Sequence, residues 1–394
     1  MSTLIQSSSQ RLGLVGLLGI LTALDAIAID MYLPAMPQMQ EHFATSSSWI
    51  QGTLAIFLIG LSVGQLVYGP ITDRFGRRWP LLIGMACFLA GSLLIVLAPN
   101  IHTLLAGRLL QAVGAAAALV IPRAIIADLF DEASAAKMYA MLMVIMSLGP
   151  VLAPLAGGML AEHAGWQSIF LVLSAFGALC LIAIYCQIEE SLPPARRQHI
   201  PVQAFLGGYM ALLKDGQYRR HAFALGLFTA SLFTYISGVP FIFIEQHGVS
   251  PQHFSLVFAA NGIGMAVLSL ASMWLSKWLA PKPMVVSGAC IHFALLAALL
   301  LVQLSGLQTL TTFTLLLGAG VCSLGLIWGN MMALVMAGQA KQAGQASALA
   351  GVLQYLFGSL AGVILGLAGS HHVFTMLALM TAAAALALLA LARR

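Results

Sequence analysis

The chain has 394 residues, of which 60% are hydrophobic and only 7% charged, with a formal net charge of +5. A water-soluble domain carries about 25% charged residues, so this chain cannot clothe a water-facing surface, and the bilayer must be its solvent. The positive charge shows no basic stripe interleaved with aromatics, which excludes a nucleic-acid-binding reading.

Irregular backbone cannot face lipid, so the spans are helices or a closed barrel. The apolar runs are long and continuous, without the alternation of barrel strands, and an all-α integral membrane protein is predicted. Twelve runs follow in order at 12–36, 49–70, 80–98, 103–126, 138–160, 167–187, 222–244, 254–276, 284–304, 308–336, 345–368 and 373–391. Each is near the ~20 residues that a membrane helix needs. The first run is too long for a signal peptide and is read as a retained span. Cys87, Cys180, Cys186, Cys290 and Cys322 all fall inside apolar runs without metal-ligand spacing. They read as buried thiols rather than disulfides, and no metal or cofactor is expected.

Between the second and third runs lies Gly69-Pro70-Ile71-Thr72-Asp73-Arg74-Phe75-Gly76-Arg77-Arg78. It is read as a short hairpin loop, held on the cytoplasmic side by its arginines. Arg11, Arg74, Arg77, Arg78, Lys137, Arg196, Arg197, Lys214, Arg219, Arg220, Lys277, Lys282, Lys341, Arg393 and Arg394 all fall at the termini or in alternate loops. The other loops hold Glu41, Glu162 and Glu245 instead. A wrong span count would scramble this pattern, so both termini are predicted cytoplasmic. The only long connection, 188–221, divides the chain into an N-terminal six-helix bundle at 1–187 and a C-terminal one at 222–394. Within it, Pro201–Lys214 has helical apolar spacing and reads either as a surface helix on the membrane or as a tether.

Ionisable groups inside the membrane cost about 2.5–3.5 kcal/mol each on insertion scales, so each needs a reason. Asp25 and Asp30 lie in the first span, and Arg108 and Arg123 in the fourth. At 1.5 Å per residue, Asp30 and Arg108 sit at similar depth, where they can pair directly or through a polar side chain. Low dielectric makes a carboxyl hold its proton, and a nearby guanidinium loosens it, so the three groups Asp30, Arg108 and Asp25 are candidates for proton coupling. A structural ion pair is the competing reading. Arg123 lies near the inner end of its span, where it can snorkel to the interface, and Asp128 follows it. Asp128 pairing with Arg74 or Arg77 would latch the second and fourth spans, which makes Gly69, Asp73, Arg74, Gly76, Arg77, Arg123 and Asp128 candidate gate residues.

The loop pattern G-x-x-x-D-R-x-G-R-R resembles the signature of the major facilitator superfamily. Arg108-Leu109-Leu110-Gln111-Ala112-Val113-Gly114-Ala115-Ala116-Ala117 resembles that family's span-four motif, with Ala112 in place of the first Gly. Gly149-Pro150-Val151-Leu152-Ala153-Pro154-Leu155-Ala156-Gly157-Gly158 is similar to its antiporter motif, which implies export. Asp30-Met31-Tyr32-Leu33-Pro34-Ala35-Met36-Pro37 resembles the Bcr/CflA drug-resistance transporters, as do Arg123–Phe130, Ser237–Glu245 and Gly344–Gly351. Ala127 departs from the pattern by lacking its second Arg, and Asp25 is not part of it. The resemblance implies two pseudo-symmetric six-helix bundles in the bacterial inner membrane, acting as a monomer.

A pocket between such halves near mid-membrane makes Tyr32, Gln111, Tyr235, Asn261, Trp328, Asn330 and Gln354 candidate substrate contacts. Nineteen methionines suit a re-packable apolar pocket. No nucleophile–base pair and no phosphate loop stands in the sequence, so no enzyme activity is expected and an ion gradient is the energy source. The resemblance implies a proton-driven exporter of amphipathic drugs such as chloramphenicol or bicyclomycin. The alternatives are a metabolite carrier of the same fold and, from another class, a non-transporting membrane receptor or enzyme.

Overall fold

A computed structural model gives the fold of residues 8–197, 202–339, 342–368 and 373–392. Pro201, Lys341, Arg393 and Arg394 lie outside the described residues, as does the side chain of Arg11. Among the described residues the secondary structure is helical, with no strand. Among these residues, eleven helices are long and apolar enough to cross a bilayer, and a bent first pair makes twelve.

Span one is broken into Ser8–Thr22, Leu24–Asp30, a short turn at Leu33–Ala35, and Met36–His42, with a bend of 41° after Thr22. Pro34 and Pro37 supply no backbone N–H, which accounts for the interruption beyond Asp30. Spans two to six are Ser47–Phe75, Arg78–Val96, Ile101–Leu129, Glu132–Ala164 and Trp166–Gln187. Spans seven to twelve are Gly216–Pro240 with its continuation Phe241–Gln246, Pro251–Leu275, Pro281–Leu304, Leu310–Met336, Ala343–Leu367 and Val373–Ala392.

The pairing of spans repeats with a shift of six. Spans one–four, one–five, two–four, three–four and three–six pack together, and so do seven–ten, seven–eleven, eight–ten, nine–ten and nine–twelve. The halves meet through two and eleven and through five and eight, which exchange under the same shift. Small residues make the close packing possible. A Cβ on Gly91 would stand 2.5 Å from the backbone nitrogen of Gln111, and one on Gly114 2.5 Å from that of Phe88.

Three expectations need correction. The stretch from Gly69 to Phe75 is the end of span two, not a loop, and the hairpin shrinks to Gly76 and Arg77. Asp73, in the last turn of that helix, pairs with Arg77 just beyond its end at 2.7 Å. Gly76 ends the helix with φ +91°, a conformation glycine adopts at no steric cost. The cysteines are not uniformly buried. Cys186 and Cys290 are exposed on the surface of their helices, whereas Cys180 is buried. Finally, span seven begins at Gly216, six residues before its apolar run, because Asp215 caps it by accepting from the N–H groups of Gln217 and Tyr218.

The connecting segment contains a helix, Val202–Lys214, as its apolar spacing predicts. Tyr209 and Leu212 are buried in the C-terminal core beside Tyr218, Ala346 and Leu349. Leu206 and Met210 face outward, both 56% exposed.

Candidate functional site

Eight spans (one, two, four, five, seven, eight, ten and eleven) enclose a cavity of about 620 Å³. That volume falls in the range of small-molecule sites. Its charged residues are Asp25, Asp30 and Arg123. Tyr139, Phe233, Tyr235, Phe258, Trp328 and Tyr355 stand with Met143, Met146, Met265 and Met332, and Gln65, Asn261 and Gln354 add neutral polar groups.

The cavity is shut at one end. Ser48 Oγ donates to the Gly366 carbonyl at 2.6 Å, Gln51 Nε2 to that of Ser237 at 3.1 Å, and Ser359 Oγ to that of Ala55 at 3.0 Å. Ser62 Oγ reaches the Val352 carbonyl at 3.1 Å, and the Gln252 N–H reaches Glu162 at 3.3 Å. These bonds join the halves from the end opposite the basic loops to mid-membrane. Toward the basic end the wall continues through Gln65, Tyr139 and Met332.

Span five seals the closed end. A Cβ on Gly157 would collide with the Met31 carbonyl of span one. One on Gly158 would collide with Ser255 and lie 2.8 Å from the Pro251 carbonyl, at the start of span eight. Gly149 faces Ala26, and Pro150 lines the cavity. The helix is continuous through Pro150 and Pro154.

The expected pairing of Asp30 with Arg108 does not form. Arg108 is fully buried and points away from the cavity, into the N-terminal bundle. Its Nη1 donates to Gln111 Oε1 at 2.7 Å and to the Ala28 carbonyl at 3.2 Å. The guanidinium lies 4.3 Å from the Tyr32 ring centre and 4.2 Å from that of Phe57, with Phe170 at 5.9 Å. Aromatic faces stabilise a desolvated cation by up to ~2 kcal/mol. Depth arithmetic places two residues at one level but says nothing of their direction around the helix.

Three expected substrate contacts also lie outside the cavity. Tyr32 bonds with Thr53 at 3.3 Å, and Gln111 Nε2 donates to Ser92 at 2.9 Å. Asn330 Nδ2 donates to Ser272 at 2.6 Å and so joins spans ten and eight. Tyr235, Asn261, Trp328 and Gln354 do line the cavity. Asn261 Nδ2 donates to Tyr235 Oη at 2.9 Å, and the Tyr235 ring stacks on Phe258 with centres 5.6 Å apart.

Arg123 also departs from its expected place. It lines the cavity, with Nη2 3.9 Å from the sulfur of Met146, instead of snorkelling to the interface beside Asp128. Asp128 pairs with Arg77 Nε at 2.9 Å, and Arg77 Nη1 also reaches Asp73. Arg74 lies over the Phe75 ring at 5.2 Å, outside this network.

Two partners in these networks come from distant sequence. Glu190, just after span six, accepts from the N–H groups of Arg77 at 2.7 Å and Arg78 at 3.3 Å. It thus places a carboxylate at the start of span three, where the helix dipole favours one. Glu190→Gln is expected to lower stability by ~1–2 kcal/mol, because it weakens charge-assisted bonds. A lowered melting temperature of the purified protein checks this; an unchanged one contradicts it. The second partner is Tyr355 of span eleven, whose Oη donates to Asp25 Oδ2 at 2.7 Å across the two halves. Tyr355 was legible as an aromatic in a span, but no spacing rule ties it to Asp25.

Two six-span halves around a mid-membrane cavity, closed at one end, have the build of an alternating-access transporter. The family model described as "Major Facilitator Superfamily" matches residues 18–363, and the chain belongs to that family. It is a multi-pass membrane transporter, not an enzyme. A relative from Bacillus subtilis, "Uncharacterized MFS-type transporter YdgK", is 35% identical over 92% of this chain and 90% of its own length. "Bicyclomycin resistance protein homolog" from Haemophilus influenzae is 26% identical over 88% of this chain and 86% of its own. Among solved structures, one titled "Crystal structure of D-xylose-proton symporter" has the same fold, with a TM-score of 0.75, 19% identity and 98% of both chains covered.

Proposed function

We propose that this transporter exports small amphipathic drugs, of the chloramphenicol or bicyclomycin kind, across the bacterial inner membrane in exchange for protons. The observation that carries the reading is the cavity itself: aromatic and methionine walls interrupted by the two carboxylates Asp25 and Asp30. Flexible thioethers and aromatic faces accept varied apolar shapes. Carboxylates at this depth provide sites for protons. The resistance name of the Haemophilus relative points the same way.

On this reading the basic end is cytoplasmic, and the conformation is open to the cell interior. The cycle needs one binding site reached alternately from each side. Exchange requires competition at this site: bound drug favours the ionised carboxylates and protonation favours the empty pocket, so drug and proton take turns.

The test is growth of a pump-deficient bacterium expressing this protein on a panel of drugs and metabolite analogues. Resistance to amphipathic drugs is the expected result. Resistance confined to metabolite analogues, or none at all, contradicts the drug-export reading.

A further inference from the structure

We propose that Tyr355 couples the proton state of Asp25 to the conformation of the transporter. The other hydrogen bonds between the halves named above either end on backbone carbonyl oxygens or join Glu162 to a backbone N–H at the closed rim. The Tyr355–Asp25 bond is different: it joins two side chains at the cavity wall, one of them a carboxyl, at 2.7 Å. Asp25 is 4% exposed, and its second oxygen, Oδ1, is buried without a hydrogen-bond partner. Tyr355 is therefore the one hydroxyl that its side chain engages in this state.

The direction of coupling follows from the donor. A phenol O–H donates more strongly to a carboxylate than to a neutral carboxylic acid. The contact thus favours ionised Asp25 in the conformation that is hollow toward the basic end. By linkage, ionised Asp25 favours that conformation, and protonation releases it. The titratable and charged groups sharing the cavity are Asp30 on the same span, Arg123 from span four, Tyr139 from span five, Tyr235 from span seven and Tyr355 itself. Of these, only Tyr355 both belongs to the opposite half and bonds to Asp25. Rocking of the halves changes that contact, whereas Arg123 and Asp30 travel with Asp25. The contact that favours the ionised form is thereby placed where a proton must leave.

This inference rests on the proton-coupled reading, and its test needs no drug. Spin labels on the inner ends of spans four and ten, with the native cysteines replaced, report the ratio of inward-open to outward-open molecules in lipid nanodiscs as pH is varied. Tyr355→Phe keeps the ring beside Phe233 and removes only the hydroxyl. The expected result is a loss of about tenfold in that ratio at high pH, equivalent to about one pH unit of proton affinity, and no change at low pH, where Asp25 is protonated in both states. Asp25→Asn should erase the pH dependence of the Tyr355→Phe effect, leaving only the response that Asp30 supplies. A Tyr355→Phe change of equal size at every pH would make Tyr355 a packing residue, and no change at any pH would remove it from coupling; either overturns the inference. Absence of drug–proton exchange in the wild-type protein would instead defeat the proposed function, and is read separately in liposomes.

Discussion

Asp30→Asn is expected to abolish uphill export while leaving the fold and the cavity in place. Asp30 lines the cavity, and no ion pair joins it to Arg108, whose guanidinium is held by Gln111, the Ala28 carbonyl and two aromatic faces. A carboxyl without a fixed cation is free to exchange its proton with the cavity, and the amide that replaces it has no proton to carry. One charge crossing 100 mV supplies about 2.3 kcal/mol, which supports a gradient of roughly fortyfold for a neutral drug. That gradient should fall to near unity in the variant. Downhill exchange of labelled drug between the two sides should survive, because the amide is close in size to the carboxyl. The check is accumulation and exchange measured on the same liposomes. Uphill transport retained by Asp30→Asn would move the proton site elsewhere, with Asp25 as the next candidate.

Gly158→Val is expected to stop transport for a different reason. Gly158 packs against Ser255 and the Pro251 carbonyl, where spans five and eight close the end opposite the basic loops. The serine can rotate, but the carbonyl belongs to the first turn of a helix and cannot. A branched side chain there is incompatible with the closed seam and favours conformations in which spans five and eight part. Alternating access requires both arrangements, so turnover should fall at least tenfold, the effect of about 1.4 kcal/mol against one state. Labels on the outer ends of spans five and eight should show the separated distance at every pH. Normal turnover in Gly158→Val would mean that this seam opens at no cost and is not the gate.

Much of the fold was legible in the chain. Long apolar runs yield the number of spans, because the bilayer imposes their length. Asp25 and Asp30 stood out for the same reason: ionisable groups are rare in apolar runs. What the chain did not disclose is azimuth and distance. Arg108 and Asp30 share a level but face different spaces. Arg123 and Arg108 lie on one span, yet it is Arg123 that reaches the cavity. Tyr32, Gln111 and Asn330 are polar because they join helices to one another, a role that resembles substrate binding in composition alone. Glu190 and Tyr355 act on residues more than a hundred positions away, and no local periodicity encodes such contacts. The small-residue motif of span five was visible as a motif. Only the packing shows which glycine meets the neighbouring half and which meets span one.

The most direct measurement of proton-coupled export uses the purified wild-type protein in liposomes that enclose a pH-sensitive dye. With no imposed gradient, an amphipathic drug is added on one side. Drug entry is expected to drive protons out, so that the interior becomes alkaline, and Asp30→Asn liposomes are expected to show no such change. Drug entry with no movement of protons, or with protons moving in the same direction as the drug, would contradict proton-coupled export.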